Sequence, residues 1–560
     1  MFIRFLTKEV VMASSVFLAG DENWWRQAVV YQVYPRSFKD SNGDGLGDVK
    51  GITSKVDYLA DLGVDAIWLS PFYPSALADG GYDVADYRDV DPKLGTLADF
   101  DEMMAAYHKR GMRVFVDVVP NHSSDLHVWF QEALAAAPGS AARDRYIFRD
   151  GKGVNGELPP NDWPSHFGPS SWTRTTNADG TPGQWYLHLF APEQPDFNWD
   201  NEEVIDDFKK TIRFWSDRGV DGFRIDVAHA LKKDMSEPYP KIPGYDETHI
   251  PLDGSHHLFD RDDTIEIYRG WREVFNSYDP PRVAVAEAWV PTERRPRYSS
   301  PETLGQAFNF DLLITPWSAK KFKKSIEFNV DLAAKSGSSS TWVLSNHDVV
   351  RHASRYGLPQ KANLEKWLLS DGEAPRLDRE LGQQRARAAI MLLLALPGST
   401  YIYQGEELGL FEVADLPGDA LQDPMWLRDS GKRKGRDGCR VPLPWEKTGT
   451  SFGFGTGGAH LPMPGWFGDY SVAAEDSRAD STLNLYRSAL ELRKKSLTTE
   501  SLEWVRSKGT VVHFARPNGW HSVTNFSHRS VRLPEGKVVL SSAPLVDGKL
   551  PGNSTVWLQK

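Results

Sequence analysis

The chain has 560 residues, a formal net charge of −11 and a pI near 5.8. That length predicts one large domain with smaller attachments, and an acidic balance without a basic block argues against a nucleic-acid partner. Cys439 stands alone, which excludes an internal disulfide and a zinc–thiolate motif, and no apolar run reaches membrane-spanning length. Aromatic residues make up 12%, with 20 tryptophans, a content that suits flat ligands such as sugars.

Residues 1–22 read as an N-terminal extension. Arg4, Lys8 and Glu9 interrupt its apolar stretch and argue against a signal peptide, and Met12 offers an alternative start. A cytoplasmic protein is the expectation. From about residue 24 short β-branched or aromatic runs alternate with amphipathic stretches. Strand-like runs fall at 29–38, 64–72, 113–122, 222–228, 282–289, 307–312, 341–348 and 399–406. Helical patterns such as 97–110, 202–218 and 383–396 lie between them. Eight strands alternating with helices predict an α/β fold, a (β/α)8 TIM barrel built from 23–122 and 192–496. A doubly wound sheet is disfavoured because no Gly-rich phosphate turn follows the first strand. Residues 123–191, rich in Gly, Pro, Asn and Trp, read as an inserted lid domain after the third strand. Residues 497–560 read as a separate antiparallel β-sandwich.

In such a barrel, polar residues at the carboxyl ends of strands mark the active face. The third run ends Asp117-Val-Val-Pro-Asn-His122, and the fourth carries Arg224 and Asp226. The fifth ends at Glu287 before Trp289, and the seventh at His347-Asp348. Burying that many charges is costly unless a ligand or reaction uses them. Paired carboxyls are the machinery of glycoside hydrolysis, one protonating the leaving oxygen and one attacking the anomeric carbon. Arg224 beside Asp226 predicts a carboxylate kept ionised as a nucleophile, and the apolar setting of Glu287 suits a general acid. Asp348 and the histidines then face ring hydroxyls.

The segments Asp117-Val-Val-Pro-Asn-His122, Gly222-Phe-Arg-Ile-Asp226, Ala286-Glu287 and Asn346-His-Asp348 resemble the four ordered signature regions of glycoside hydrolase family 13, the α-amylase superfamily. The resemblance implies Asp226 as nucleophile, Glu287 as acid/base and Asp348 as transition-state stabiliser, with Arg224, His122 and His347 lining the sugar subsite. Gln194-Pro-Asp-Phe-Asn-Trp199 and Asp79-Gly-Gly-Tyr82-Asp83 are similar to segments of the α-glucosidase and oligo-1,6-glucosidase branch. There Asp79 pairs with an arginine to close the pocket and Tyr82 stacks on the sugar. Arg436 is the expected partner ahead of Arg440, and a closed pocket implies exo-type cleavage of short substrates.

Asp40-Ser-Asn42-Gly-Asp44-Gly-Leu46-Gly-Asp48 sets oxygen donors at alternate positions, as a calcium loop does, but Gly51 stands where an EF-hand has its last acid. By the resemblance, Asp40, Asn42, Asp44, the carbonyl of Leu46 and Asp48 hold one structural Ca2+ or Mg2+; no organic cofactor is expected. Val227 after the nucleophile accompanies α-1,6 specificity in this branch, whereas Val227-Ala-His229 resembles enzymes acting on maltose-type α-1,4 bonds. The expectation is an α-glucosidase favouring maltose and short α-1,4 oligosaccharides, as a monomer or homodimer. Its alternatives are an oligo-1,6-glucosidase, a sucrose- or trehalose-acting transglucosylase or isomerase on the same scaffold, and a non-catalytic relative serving a transporter. The segment 456–470, rich in Gly, Pro and aromatics, is expected to line the aglycone side.

Overall fold

The computed structural model describes residues 23–177, 179–242, 250–496 and 499–560; the expected extension 1–22 lies outside the described residues. Eight parallel strands form the central sheet: β1 Val29–Val33, β2 Ala66–Leu69, β3 Arg113–Val118, β4 Gly222–Ile225, β5 Val283–Ala286, β6 Gly305–Ala307, β7 Thr341–Val343 and β8 Ser399–Tyr403. Their hydrogen-bonded order is β7-β8-β1-β2-β3-β4-β5-β6, and a parallel bridge between Asn309 and Trp342 spans the gap from β6 to β7. The sheet is a nearly closed (β/α)8 barrel.

The strand alternation separates two cores. Val30, Trp68, Phe115, Val283, Val285, Val343 and Tyr401 fill the barrel interior. Val29, Tyr31, Ile67, Val114, Val116, Phe223, Ile225 and Ala284 face outward against the helices. Gly222 belongs to the inward set, and a Cβ there would lie 2.4 Å from the Phe115 ring, so the position admits no side chain. Helices Leu97–Lys109 and Glu202–Asp217 start where the sequence supplies caps: a reciprocal Thr96/Asp99 box, and Asn201 accepting from the Glu203 amide.

One expected strand is wrong over most of its length. The run 307–312 leaves the sheet at Ala307, and Phe310–Leu313 is a helical turn capped by Asn309. Phe308, Phe310 and Leu313 all plug the barrel interior, so apolar content there reflects a plug rather than a strand. The runs 29–38 and 341–348 also pair over fewer residues, because the chain leaves the ladder to build the active face.

Between β3 and β4 lies a three-stranded antiparallel sheet, ordered Phe148–Arg149, Pro182–Leu187, Trp172–Thr176. After helix Thr482–Ser496 the chain forms a five-stranded antiparallel sheet and a two-stranded one. The larger sheet docks on helix Arg379–Leu394, where Trp557 and Thr555 donate to the carbonyls of Met391 and Ala388. Among the described residues no helix is long and apolar enough to cross a membrane.

Candidate active site

Strand parity delivers the charged residues. Asp117 follows the inward Phe115 by two positions, Arg224 follows Gly222, and the β3–β4 register sets Asp117 opposite Arg224. Arg224 Nη1 donates to both Asp117 oxygens at 3.0 and 3.1 Å and to Asp226 Oδ1 at 2.5 Å; Nη2 donates to Glu287 Oε2 at 2.6 Å. One guanidinium therefore serves three carboxyl groups. Expected to line the subsite, Arg224 instead lies beneath the carboxylates, 2% exposed.

This sharing divides the pull of Arg224 that was expected to act on Asp226. Burial and the neighbouring Glu287 and Asp117 charges push Asp226 above the ordinary carboxylate range, against the pull of Arg224. Asp117 is pushed up to about 7, chiefly by burial. A single guanidinium shared by three acids offsets their burial only in part, so Asp117 and Asp226 are both raised despite it.

The peptide after Asp226 is unusual. Val227 has φ 43°, a left-handed conformation that β-branched residues avoid. In that conformation its amide donates to Glu287 Oε2 at 3.1 Å, and Trp289 Nε1 donates to Oε1 at 3.2 Å. Both Glu287 oxygens are thus fixed.

A second cluster surrounds Asp348. Arg436 Nη1 and Arg440 Nη2 donate to its Oδ1 at 3.1 and 3.0 Å, and His347 Nε2 lies 3.3 Å from Oδ2. Burial opposes ionisation, yet His347, Arg436 and Arg440 hold Asp348 well below its ordinary range. His347 is itself driven by burial well below the imidazole range, and Gln32 Nε2 donates to its Nδ1, so at neutral pH the two arginines carry the effect. Arg436 Nη2 also donates to Asp79 Oδ1 at 2.6 Å, the pairing expected, while Arg440 Nε holds the His347 carbonyl. Tyr82 stacks on His347 with centroids 5.2 Å apart and donates to Asp117. Gln194 Nε2 bridges His122 and Asp79, and burial pushes His122 down to about 3, leaving a neutral ring.

Asp79, Tyr82, His122, Asp226, Glu287, His347, Asp348 and Arg436 line one pocket of about 340 Å³. His166, Phe167 and Phe190 reach it from the inserted segment, and Met425 from the helix Pro424–Arg428; sequence reasoning did not single these out. Phe167 lies in the aromatic segment 167–172, the one available signal. Asp423, equally missed, accepts from the Arg436 amide and Nε at 2.6 and 2.7 Å. The segment 456–470 contributes no residue to the pocket. It packs instead on the 40–48 loop, with the His460 amide donating to the Gly45 carbonyl.

In that loop, Asp40 accepts from the amides of Asn42, Gly43 and Gly45, and Asp48 accepts from Ser41 and caps the helix Val49–Thr53. Asp44 accepts from Asn42 Nδ2 and the Leu46 amide. Among the described residues no three His, Cys, Asp or Glu side chains are arranged so that they could hold a metal ion.

This fold and site define a glycoside hydrolase. Residues 32–501 match the family model "Alpha amylase, catalytic domain", and the chain belongs to that family, glycoside hydrolase family 13. It is 35% identical over 522 residues to a probable α-glucosidase of Rhizobium meliloti, covering 90% of this chain and 89% of that one. It is 34% identical over 506 residues to an oligo-1,6-glucosidase of Parageobacillus thermoglucosidasius, covering 84% of each. Among solved structures, a trehalulose synthase from Pseudomonas mesoacidophila superposes with a TM-score of 0.81 at 30% identity, covering 96% of this chain and 99% of that one.

Proposed function

We propose that this enzyme is a retaining, exo-acting α-glucosidase that releases glucose from maltose and short α-1,4-linked oligosaccharides. The observation carrying the reading is a single pocket lined by Asp226, Glu287 and the Asp79–Arg436 ion pair. Its volume, about 340 Å³, lies at the small end for ligand sites and suits a disaccharide. By the family resemblance, the Asp79–Arg436 pair closes the pocket behind one terminal sugar.

Asp226 attacks the anomeric carbon while Glu287 gives its proton to the glycosidic oxygen, releasing the aglycone and leaving a glucosyl ester on Asp226. Glu287 then takes a proton from water, which attacks the same carbon and frees α-glucose and the Asp226 carboxylate. Positive charge developing at that carbon favours the ionised form of Asp226, which burial alone opposes. Asp348, kept ionised by Arg436 and Arg440, accepts from ring hydroxyls as that charge grows. Retention is supported by the two carboxyls sitting on the two terminal nitrogens of one guanidinium. That is close-set, consistent with the ~5–5.5 Å of retaining enzymes rather than ~6.5–9.5 Å.

The 40–48 loop is read as a site for one Ca2+ or Mg2+. Its donors are hard oxygens, and a carboxylate offers about four lone-pair positions, so the hydrogen bonds to Asp40, Asp44 and Asp48 leave acceptor capacity for a cation. The ion would brace this loop and take no part in the chemistry.

A second reading, a sucrose-acting glucosyl transferase or isomerase, is favoured by the likeness to a trehalulose synthase over nearly the whole chain. Product analysis by chromatography and early-time NMR separates the two, with maltose, isomaltose, sucrose and trehalose offered singly. Fastest α-glucose from maltose supports the proposal. Isomaltose leading makes the enzyme an oligo-1,6-glucosidase, a dominant rearranged disaccharide makes it an isomerase, and β-glucose overturns retention.

A further inference from the structure

Asp348 and the two arginines on it come from separate parts of the chain. Asp348 follows β7, whereas Arg436 precedes, and Arg440 ends, the helical turn Asp437–Arg440. Both guanidinium contacts with Asp348 fall on Oδ1, at 3.1 and 3.0 Å, so the setting of that carboxylate depends on where the turn sits. Arg440 also holds the His347 carbonyl through Nε at 2.8 Å, which ties the same turn to the backbone before Asp348.

Arg351, in the segment that follows Asp348, is buried and does not line the pocket. Its Nη2 donates to the Cys439 carbonyl, inside the turn, at 2.9 Å. Its Nη1 donates to the Gln404 carbonyl, just past β8, at 2.8 Å. The guanidinium lies over the Tyr403 ring, and the Tyr403 hydroxyl donates to the same Cys439 carbonyl at 2.9 Å. Gln404 in turn donates its amide to the Gln32 carbonyl, and Gln32 Nε2 holds His347. The Arg351 amide donates to Glu412 Oε2 at 2.9 Å, while the Val413 amide donates to the Gly438 carbonyl. Gly438 has no room for a side chain there, since a Cβ would lie 2.6 Å from both Glu412 Oε1 and the Val413 carbonyl oxygen. The turn is thus held at Cys439 by Arg351 and Tyr403, and at Gly438 by residues 412–413.

We propose that Arg351 is a positioning residue for Asp348: by joining the Cys439 carbonyl to the Gln404 carbonyl it fixes the turn that carries Arg440, and with it the orientation of the Asp348 carboxylate in the pocket. The inference rests on the reading of Asp348 as the carboxylate that answers developing charge, and deepens it. A guanidinium suits the task because its planar fork holds two acceptors at a fixed spacing, whereas an ammonium is a point charge on a flexible stem. Removing it strips the Cys439 and Gln404 carbonyls of a donor, so the turn shifts and the Arg436 and Arg440 contacts with Oδ1 lengthen.

The test combines Arg351→Met with Asp348→Asn on p-nitrophenyl α-glucoside. R351M alone is expected to lower kcat about 30- to 100-fold with KM changed less than about 3-fold, the loss that a shift of about 1 Å in an aligning group produces. R351K, able to reach one carbonyl but not both, is expected to fall between. In the D348N background R351M is expected to cost less than about 3-fold, because its effect passes through Asp348; a general loss of structure would multiply the two losses instead. Hydrogen–deuterium exchange over residues 436–443 reads the grip without any substrate and is expected to quicken about 10-fold or more in R351M. G438A, which displaces the same turn at its other contact, is expected to give the same kinetic pattern and carries the test if R351M does not fold. Unchanged exchange overturns the grip; losses that multiply, or a kcat within about 2-fold of wild type, overturn its action through Asp348. If wild type releases no nitrophenol, or D348N keeps its rate, the reading of the site fails and the catalytic part of the proposal with it, whereas exchange still decides whether Arg351 holds the turn.

Discussion

Arg436→Met removes a guanidinium that serves three carboxylates. Arg436 donates to Asp79 at 2.6 Å, to Asp348 at 3.1 Å and to Asp423 at 2.7 and 3.2 Å. Asp348 keeps Arg440, but among the described residues Asp79 and Asp423 are left without an ion-pair partner, and their side chains are 6% and 0% exposed. Stripping one partner from a buried ion pair costs about 3–5 kcal/mol. At ~2.1 cal/mol/K per residue, a chain of 560 residues unfolds with ~1.2 kcal/mol/K, so the melting temperature should fall by about 3–4 °C. The pocket also loses its end wall and the alignment of Asp348, for which a fall of ~10²–10³-fold in kcat/KM on maltose is expected. Differential scanning calorimetry and initial rates of glucose release measure the two effects. A melting temperature within about 1 °C of wild type, with an unaltered KM, refutes the reading of Arg436 as the charge that closes this pocket.

Asp226→Asn should lower kcat by ~10⁴-fold or more, yet leave the melting temperature unchanged or slightly raised, since it relieves crowding of three acids around Arg224. A clear loss of stability would contradict that charge balance. Asp117, pushed up to about 7, retains its proton in the fold at pH values where the unfolded chain has lost it. Its contribution to stability is therefore full below about pH 4 and declines as pH rises to about 7. Wild type compared with Asp117→Asn, melted between pH 5 and 8, should show the wild type losing ground as pH rises; parallel curves refute the shift. Chelation with EDTA should lower the melting temperature by about 2 °C, restored by excess Ca2+, as expected for removal of an ion present at ~100 times its Kd. Asp44→Asn should abolish that response while sparing kcat; an EDTA response that persists places the ion elsewhere.

Much of the site was legible because it depends on strand parity. Once Phe115, Gly222 and Val285 face inward, Asp117, Arg224, Asp226 and Glu287 must face inward too, and the ends of the strands bring them to one rim. The Asp79–Arg436 pair was legible only through resemblance, because the two residues are 357 positions apart. The strand assignment at 307–312 failed for a local reason: a helical turn plugging a barrel and a buried strand present the same apolar run.

The sequence by itself determined the barrel, the order of its charged strand ends and the residue types that can carry glycoside chemistry, since all of these follow from short-range periodicity. Tertiary structure alone decided that Arg224 is shared by three acids and lies beneath the pocket, that Val227 turns left-handed to present its amide to Glu287, and that Arg351 grips the turn that carries Arg440. Those contacts join elements far apart in the chain, and several run to backbone carbonyls that any residue could supply. Side-chain identity therefore leaves them unmarked, and only the packing of one segment on another brings donor and acceptor within reach.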